Sequence, residues 1–207
     1  MSLPPDSCAP AIEIDGARVL VGTASWTERS LVRDAGWYPK KTMTAAARIA
    51  FYATRFPVVE VETTYYFPPT PEVAQQWVDR TPPGFTMDIR GWSLLTGQPT
   101  IPPSLWPDLQ NDVKPEKRDL GNLYPTHLSV AAIEESWARF DHALRPLHRA
   151  GRLGAVVLSY PHWLSPKAEA RAEVAAARDR LPDYRIAVEF ANDKWLGDDE
   201  IDTTLEW

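Results

Sequence analysis

The sequence predicts an α/β fold built on parallel strands. Three observations carry that expectation. Short apolar runs alternate with helical periodicity from about residue 17 onward. Most of the strands have one apolar face and one face that turns polar toward the C-terminal end. No G-x-G-x-x-G follows the first strand, so a dinucleotide-binding crevice has no support. Alternating strands and helices imply right-handed crossovers, and either an open doubly wound sheet or a (β/α)8 barrel satisfies them.

The elements follow in order. "ARVLVGTAS" (17–25) predicts an apolar strand after a Pro-rich N-terminal tail, residues 1–16. "TAAARIAFYATRF" (44–56) predicts a helix, with Ile49, Tyr52, Ala53 and Phe56 on one face. "PVVEVETT" (57–64) predicts the second strand, with Glu60 and Glu62 on one face of a β-branched run. Thr70-Pro71 supplies an N-cap and a first-turn proline for a short helix. "GFTMDIR" (84–90) is the third strand, and a Pro-, Gly- and Asn-rich loop runs from Ser93 to about Thr126.

Ser129 is placed to cap a long helix with the face Ile133, Trp137, Phe140, Leu144 and Leu147. Pro146 is expected to kink it and Gly151 to end it. "LGAVVLSY" (153–160) is the fourth strand. Ser165-Pro166 opens an Ala-rich helix to about Leu181, and "YRIAVEF" (184–190) is the fifth strand. The segment "DDEIDTTLEW" reads as the opening of another helix. Residues 17–207 are thus expected to form a single domain.

Composition narrows the function classes. A formal net charge of −6 disfavours a broad phosphate-binding surface, so a nucleic-acid partner is not expected. A single cysteine, Cys8, allows no internal disulfide, which suits a reducing cytoplasm. "MSLPPDSCAPA" has neither a basic start nor an apolar stretch, and no apolar run reaches the ~20 residues a membrane span needs. Neither a secretory signal nor a membrane partner is expected.

The polar strand faces gather chemistry. Thr23 and Ser25 share a face in the first strand, Glu60 and Glu62 in the second, Thr86, Asp88 and Arg90 in the third. Ser159 shares a face with Val157, and Glu189 with Ala187. Buried carboxylates are costly unless they meet a cation, share a proton or hold a metal. After the strands come Trp26, Tyr65, Tyr66, Trp92, His162, Trp163 and Trp195, which in a barrel would line the rim where active sites are built.

The motifs "VGTASW" (21–26), "WYP" (37–39), "FPVVEVETTYYFPP" (56–69), "W...TPPGFTMDIRGWSLLTGQPT" (77–100), "RLGAVVLSYPHW" (152–163) and "IAVEFANDKWL" (186–196) occur in that order. Together they resemble the YecE-like family, the domain of unknown function 72, across nearly the whole chain. The resemblance implies a TIM-barrel-type fold, expected to be truncated after about the fifth βα unit. It implies no reaction. Against the family pattern, Glu62 stands for an Asn, Arg90 for a Lys, Ser159 for a Gln and Ala191 for an Arg. These changes make the expected pocket more acidic. The family continues with further strands, so roughly five of eight barrel strands are expected here. An open partial barrel would leave a parallel edge for a second copy of the chain to cover.

Two function classes remain. One is an enzyme, a hydrolase, isomerase or lyase acting on a small polar substrate, with Glu60, Glu62 and Glu189 as candidate catalytic carboxylates. Thr23, Ser25, Trp26, Tyr66, Arg90, Trp92, Tyr160, His162 and Trp195 are its candidate substrate-binding residues. The other is a non-catalytic ligand-binding or assembly protein with a vestigial pocket. The bland alternative for the carboxylates is an ion-pair network with Arg90, and for the tryptophans packing over the sheet end. No metal-ligand spacing such as H-E-x-x-H is present, and nothing names a cofactor.

Overall fold

A computed structural model of the chain describes residues 7–34 and 36–207. The first six residues of the Pro-rich tail lie outside the described residues. Ile12–Ile14 (β1) and Ala17–Val19 (β2) pair antiparallel around Asp15 and Gly16, both at positive φ. Asp-Gly between two apolar runs is a two-residue hairpin signal. It draws part of the expected tail into a hairpin, and the strand expected over 17–25 divides into β2 and Gly22–Ala24 (β3).

The sheet that follows has five strands in the order β3, Val58–Val61 (β4), Thr86–Arg90 (β5), Leu153–Tyr160 (β6) and Ile186–Phe190 (β7). The β3–β4, β4–β5 and β6–β7 pairings are parallel. Helices Ala45–Ala53 (α1), Pro71–Asp79 (α2), Pro107–Gln110 (α3), Val130–Arg149 (α4), Ala168–Asp179 (α5) and Ile201–Glu206 (α6) fill the connections and the end of the chain. The expected α/β class and parallel pairing are present. None of the described helices is long and apolar enough to cross a membrane.

Local chemistry explains most boundaries. The Thr44 and Thr70 hydroxyls accept the Ala47 and Val73 N–H groups as N-caps, and Pro71 opens α2. Ser129 Oγ accepts from Ala132 N at 3.1 Å to start α4. Pro146 lies inside that helix, and Gly151 follows its end at φ 63°. The α5 helix starts later than Ser165-Pro166 implied, because Lys167 N turns back onto Ser165 O at 2.7 Å. The expected second strand ends at Val61. Thr64 Oγ1 donates to Val61 O at 2.7 Å and closes a 3-10 turn, so Glu62 leaves the strand that holds Glu60.

The chain forms two compact units. The first comprises residues up to Thr64, Pro69–Ile89 and His142–Ala155; the second comprises Tyr65–Pro68, Arg90–Asp141 and Val156–Trp207. In the first unit the fully buried Tyr52 hydroxyl accepts from Thr23 N at 2.7 Å and donates to Val58 O at 3.1 Å. One phenol on α1 thereby ties β3 to β4. Asp88 Oδ1 accepts from Ala155 N at 2.8 Å. That approach requires Gly154, where a Cβ would stand 2.2 Å from Asp88 Oδ1 and 2.5 Å from a Thr86 methyl. Asp88, alternating with buried Met87 and Ile89, is therefore engaged by the backbone of β6.

In the second unit, Trp137 and Phe140 of α4 are buried. Phe190 and Trp195 stack at 4.0 Å with their planes 6° apart, and the Arg171 guanidinium lies over Trp195 at 5.0 Å. The aromatic content thus serves packing in large part.

Gly154→Ala is expected to displace Asp88 and free the Ala155 N–H, lowering stability by about 1–3 kcal/mol. A urea titration checks this: the midpoint should fall with an unchanged slope.

Candidate functional site

In the second unit the ends of β5, β6 and β7 bring Arg90, Ser159 and Glu189 together. Each is the last or next-to-last residue of its strand. Ser159 and Glu189 are register partners, so their side chains leave the sheet on the same face. Gly91 N donates to Val157 O at 2.8 Å and sets β5 beside β6 at this level.

Arg90 Nε and one terminal nitrogen donate to Ser159 Oγ at 3.1 and 2.9 Å. The same terminal nitrogen is paired with the Glu189 carboxylate. Ser159 Oγ in turn donates to that carboxylate, and Gln98 Nε2 donates to Ser159 O at 3.3 Å. Ser159 is buried, whereas the Glu189 side chain is 54% exposed and that of Arg90 21%. The cluster is anchored at its base and open at its carboxylate.

Its electrostatics follow. The Ser159 hydroxyl, then the Arg90 charge and hydrogen bond, hold the Glu189 carboxyl below the usual glutamate range against partial burial. Burial pushes the Tyr65 phenol up; its neighbour Tyr66 adds to this and Arg90 opposes it. Tyr65 is therefore within electrostatic reach of Arg90. Tyr66 packs edge-on against Tyr65 at 5.0 Å and is 54% exposed.

The remaining predicted residues are placed as follows. In the first unit, Glu60 is half-buried on β4 opposite Ala24 and Asp88, and Glu62 opens the 3-10 turn beyond it. Thr23 shares a hydrogen bond with the Tyr52 hydroxyl at 2.9 Å. Ser25 sits at φ 79°, with its hydroxyl accepting from Thr27 N at 3.1 Å. Trp26 is buried, donates to Ala45 O at 3.2 Å and packs edge-on to Trp77.

In the second unit, Trp92 is fully buried against Trp106, and Trp195 donates to Leu164 O at 2.7 Å beneath Phe190. Tyr160 is buried on the other face of β6 from Ser159 and stacks with Phe190. His162 is exposed, edge-on to Trp163 at 4.8 Å. Among the described residues, no three His, Cys, Asp or Glu side chains are gathered as metal ligands.

Gln98 was not read from the sequence as a site residue, whereas Tyr65 was placed at the rim and Ser159 on a polar strand face without being named as catalytic or binding residues. Ser159 carried a signal, since it occupies the polar face of its strand at the level of Arg90 and Glu189. Gln98 carried none, because its position depends on the turn after β5.

The family described as Protein of unknown function DUF72 matches residues 20–207. The chain belongs to the DUF72 family. It is 22% identical over 189 residues to UPF0759 protein YunF of Bacillus subtilis, covering 91% of this chain and 56% of that protein. Solved DUF72 structures share its fold. One from Enterococcus faecalis matches with a TM-score of 0.61 at 22% identity, covering 88% of this chain and 55% of that one. One from Thermotoga maritima matches with a TM-score of 0.60 at 20% identity, covering 90% and 59%. The chain spans a little over half the length of these relatives.

Ser159→Ala removes the main hydrogen bond that lowers Glu189, so the Glu189 pKa is expected to rise in that variant, as read by carboxyl NMR titration. In the native chain the depressed carboxyl contributes stability in full above the ordinary glutamate value of about 4.3. That contribution is lost as pH falls through the lower folded value. Acid unfolding should therefore depend less on this carboxyl in Ser159→Ala.

Proposed function

We propose that this chain supplies the ligand-binding end of a DUF72 βα-barrel, and that its ligand is a small polar molecule bearing an anionic or hydroxyl group. The barrel proposal rests on five strands in one sheet and on the sequence resemblance. The ligand proposal rests on one observation, the Arg90–Ser159–Glu189 cluster at the C-terminal ends of adjacent strands. Ligand sites of such folds lie at those strand ends.

The cluster offers both signs of charge from one set of adjacent strand ends. An anionic group can take the Arg90 donors now shared by Ser159 and Glu189, and a hydroxyl can donate to the exposed Glu189 oxygens. A carboxyl held low in pKa is ionised near neutrality and has no proton to give as a general acid. Binding and orientation are thus better supported than acid catalysis.

A second reading has one observation in its favour. Ser159 donates its hydroxyl proton to an ionised carboxylate, the relation a general base has to the nucleophile it activates. A hydrolase, isomerase or lyase on the same small polar substrate would use it, with Glu189 as the candidate carboxylate of this unit.

A thermal-shift and calorimetric screen of small carboxylates, phosphates and polyols against the purified chain tests both. At least one compound should bind, and Arg90→Met should weaken it tenfold or more, about 1.4 kcal/mol. Undiminished binding in that variant, or no binder for a chain shown to be folded, overturns the proposal. Conversion of the bound compound, lost in Ser159→Ala, would move the enzyme reading ahead.

A further inference from the structure

A cleft of about 540 Å³ opens in the second unit, between α4, α5 and the segments that follow β5 and β6. It does not include Arg90, Ser159 or Glu189. Two of its walls are aromatic. Trp163 is half exposed, and Tyr124 packs edge-on to it with ring centres 6.4 Å apart. Trp137 closes another side, with the Arg180 guanidinium 5.7 Å above its ring.

The charges in this cleft are unequal. Arg180 is held by Glu134 through two nitrogens, Nε at 3.0 Å, so its charge is answered within the protein. Glu173, about two helical turns before Arg180, has no hydrogen bond or ion pair among the described residues and shares the cleft. A Cβ at Gly97 would lie 4.0 Å from its carboxylate, which places that oxygen against the turn after β5. Partial burial alone pushes the Glu173 carboxyl up. The Tyr160 hydroxyl, within electrostatic reach of Glu173 and Arg180, is buried and also lacks a hydrogen-bond partner among the described residues.

We infer that this cleft is a binding site for a small organic cation, with Glu173 as its counter-charge and Tyr124 and Trp163 as its aromatic walls. Aromatic faces attract a cation through their quadrupoles, and a partly desolvated carboxylate adds direct attraction. An anion is disfavoured, because Arg180, the one Lys or Arg among the described residues that line the cleft, is already paired with Glu134. The site is separate from the strand-end cluster, and neither depends on the other.

Choline and its neutral isostere 3,3-dimethylbutan-1-ol are the probes, titrated into the purified chain by calorimetry and followed by the indole NMR signals. Choline should bind more tightly than the alcohol and shift the Trp163 indole. Glu173→Gln and Trp163→Ala should each weaken choline about fivefold to tenfold. Both side chains line an open cleft rather than the core, and circular dichroism confirms that the variants fold. Arg90→Met should leave choline binding unchanged. Equal affinity for the neutral alcohol, unaltered binding in Glu173→Gln, or no choline binding by the folded chain overturns the inference.

Discussion

The register of the parallel strands is the constraint on which the chemistry of this chain depends. Ser159 stands opposite Glu189 because Val156 pairs with Ile186, and each later pair follows in step. Side chains alternate with a period of two, so a slip of one residue would send Glu189 to the opposite face. The Arg90 guanidinium would then lose the carboxylate partner that neutralises it. Register is strongly specified where one face is buried, and Val156, Leu158 and Tyr160 supply that burial on β6.

The same economy of polar groups holds in the first unit. Tyr52 is a fully buried aromatic whose hydroxyl is engaged with β3 and β4. Asp88 sits on a strand beside a glycine that leaves room for its carboxylate to reach a backbone N–H. Both are buried or partly buried polar groups made tolerable by donors and acceptors of the main chain. A carboxylate on a β-branched strand is therefore not by itself a site. Asp88 organises the sheet, whereas Glu189 remains half exposed at a strand end with a charged partner.

The tryptophans divide in a similar way. Trp26, Trp92 and Trp195 are covered by other side chains, and two of them spend their indole N–H on backbone carbonyls. Trp163 keeps about half of its surface exposed and faces a cleft that also holds Glu173. All four follow strands in the sequence, so position along the chain does not separate packing from ligand contact. Neighbouring loops and helices do.

The amino-acid sequence by itself determined the α/β class, the strand order along the chain, the caps at Thr70 and Ser129, and the family. Those features depend on short-range periodicity, on side chains within a turn of the backbone they bond, and on spaced motifs. It also placed Arg90 and Glu189 on polar strand faces. The tertiary structure alone decided that Glu62 leaves the strand, that Asp88 is taken by Ala155 N, and that Ser159 joins Arg90 to Glu189 across 69 and 30 residues. The physical reason is distance along the chain: a contact between strands is set by register and by which backbone groups are already paired, and neither is written in any local stretch.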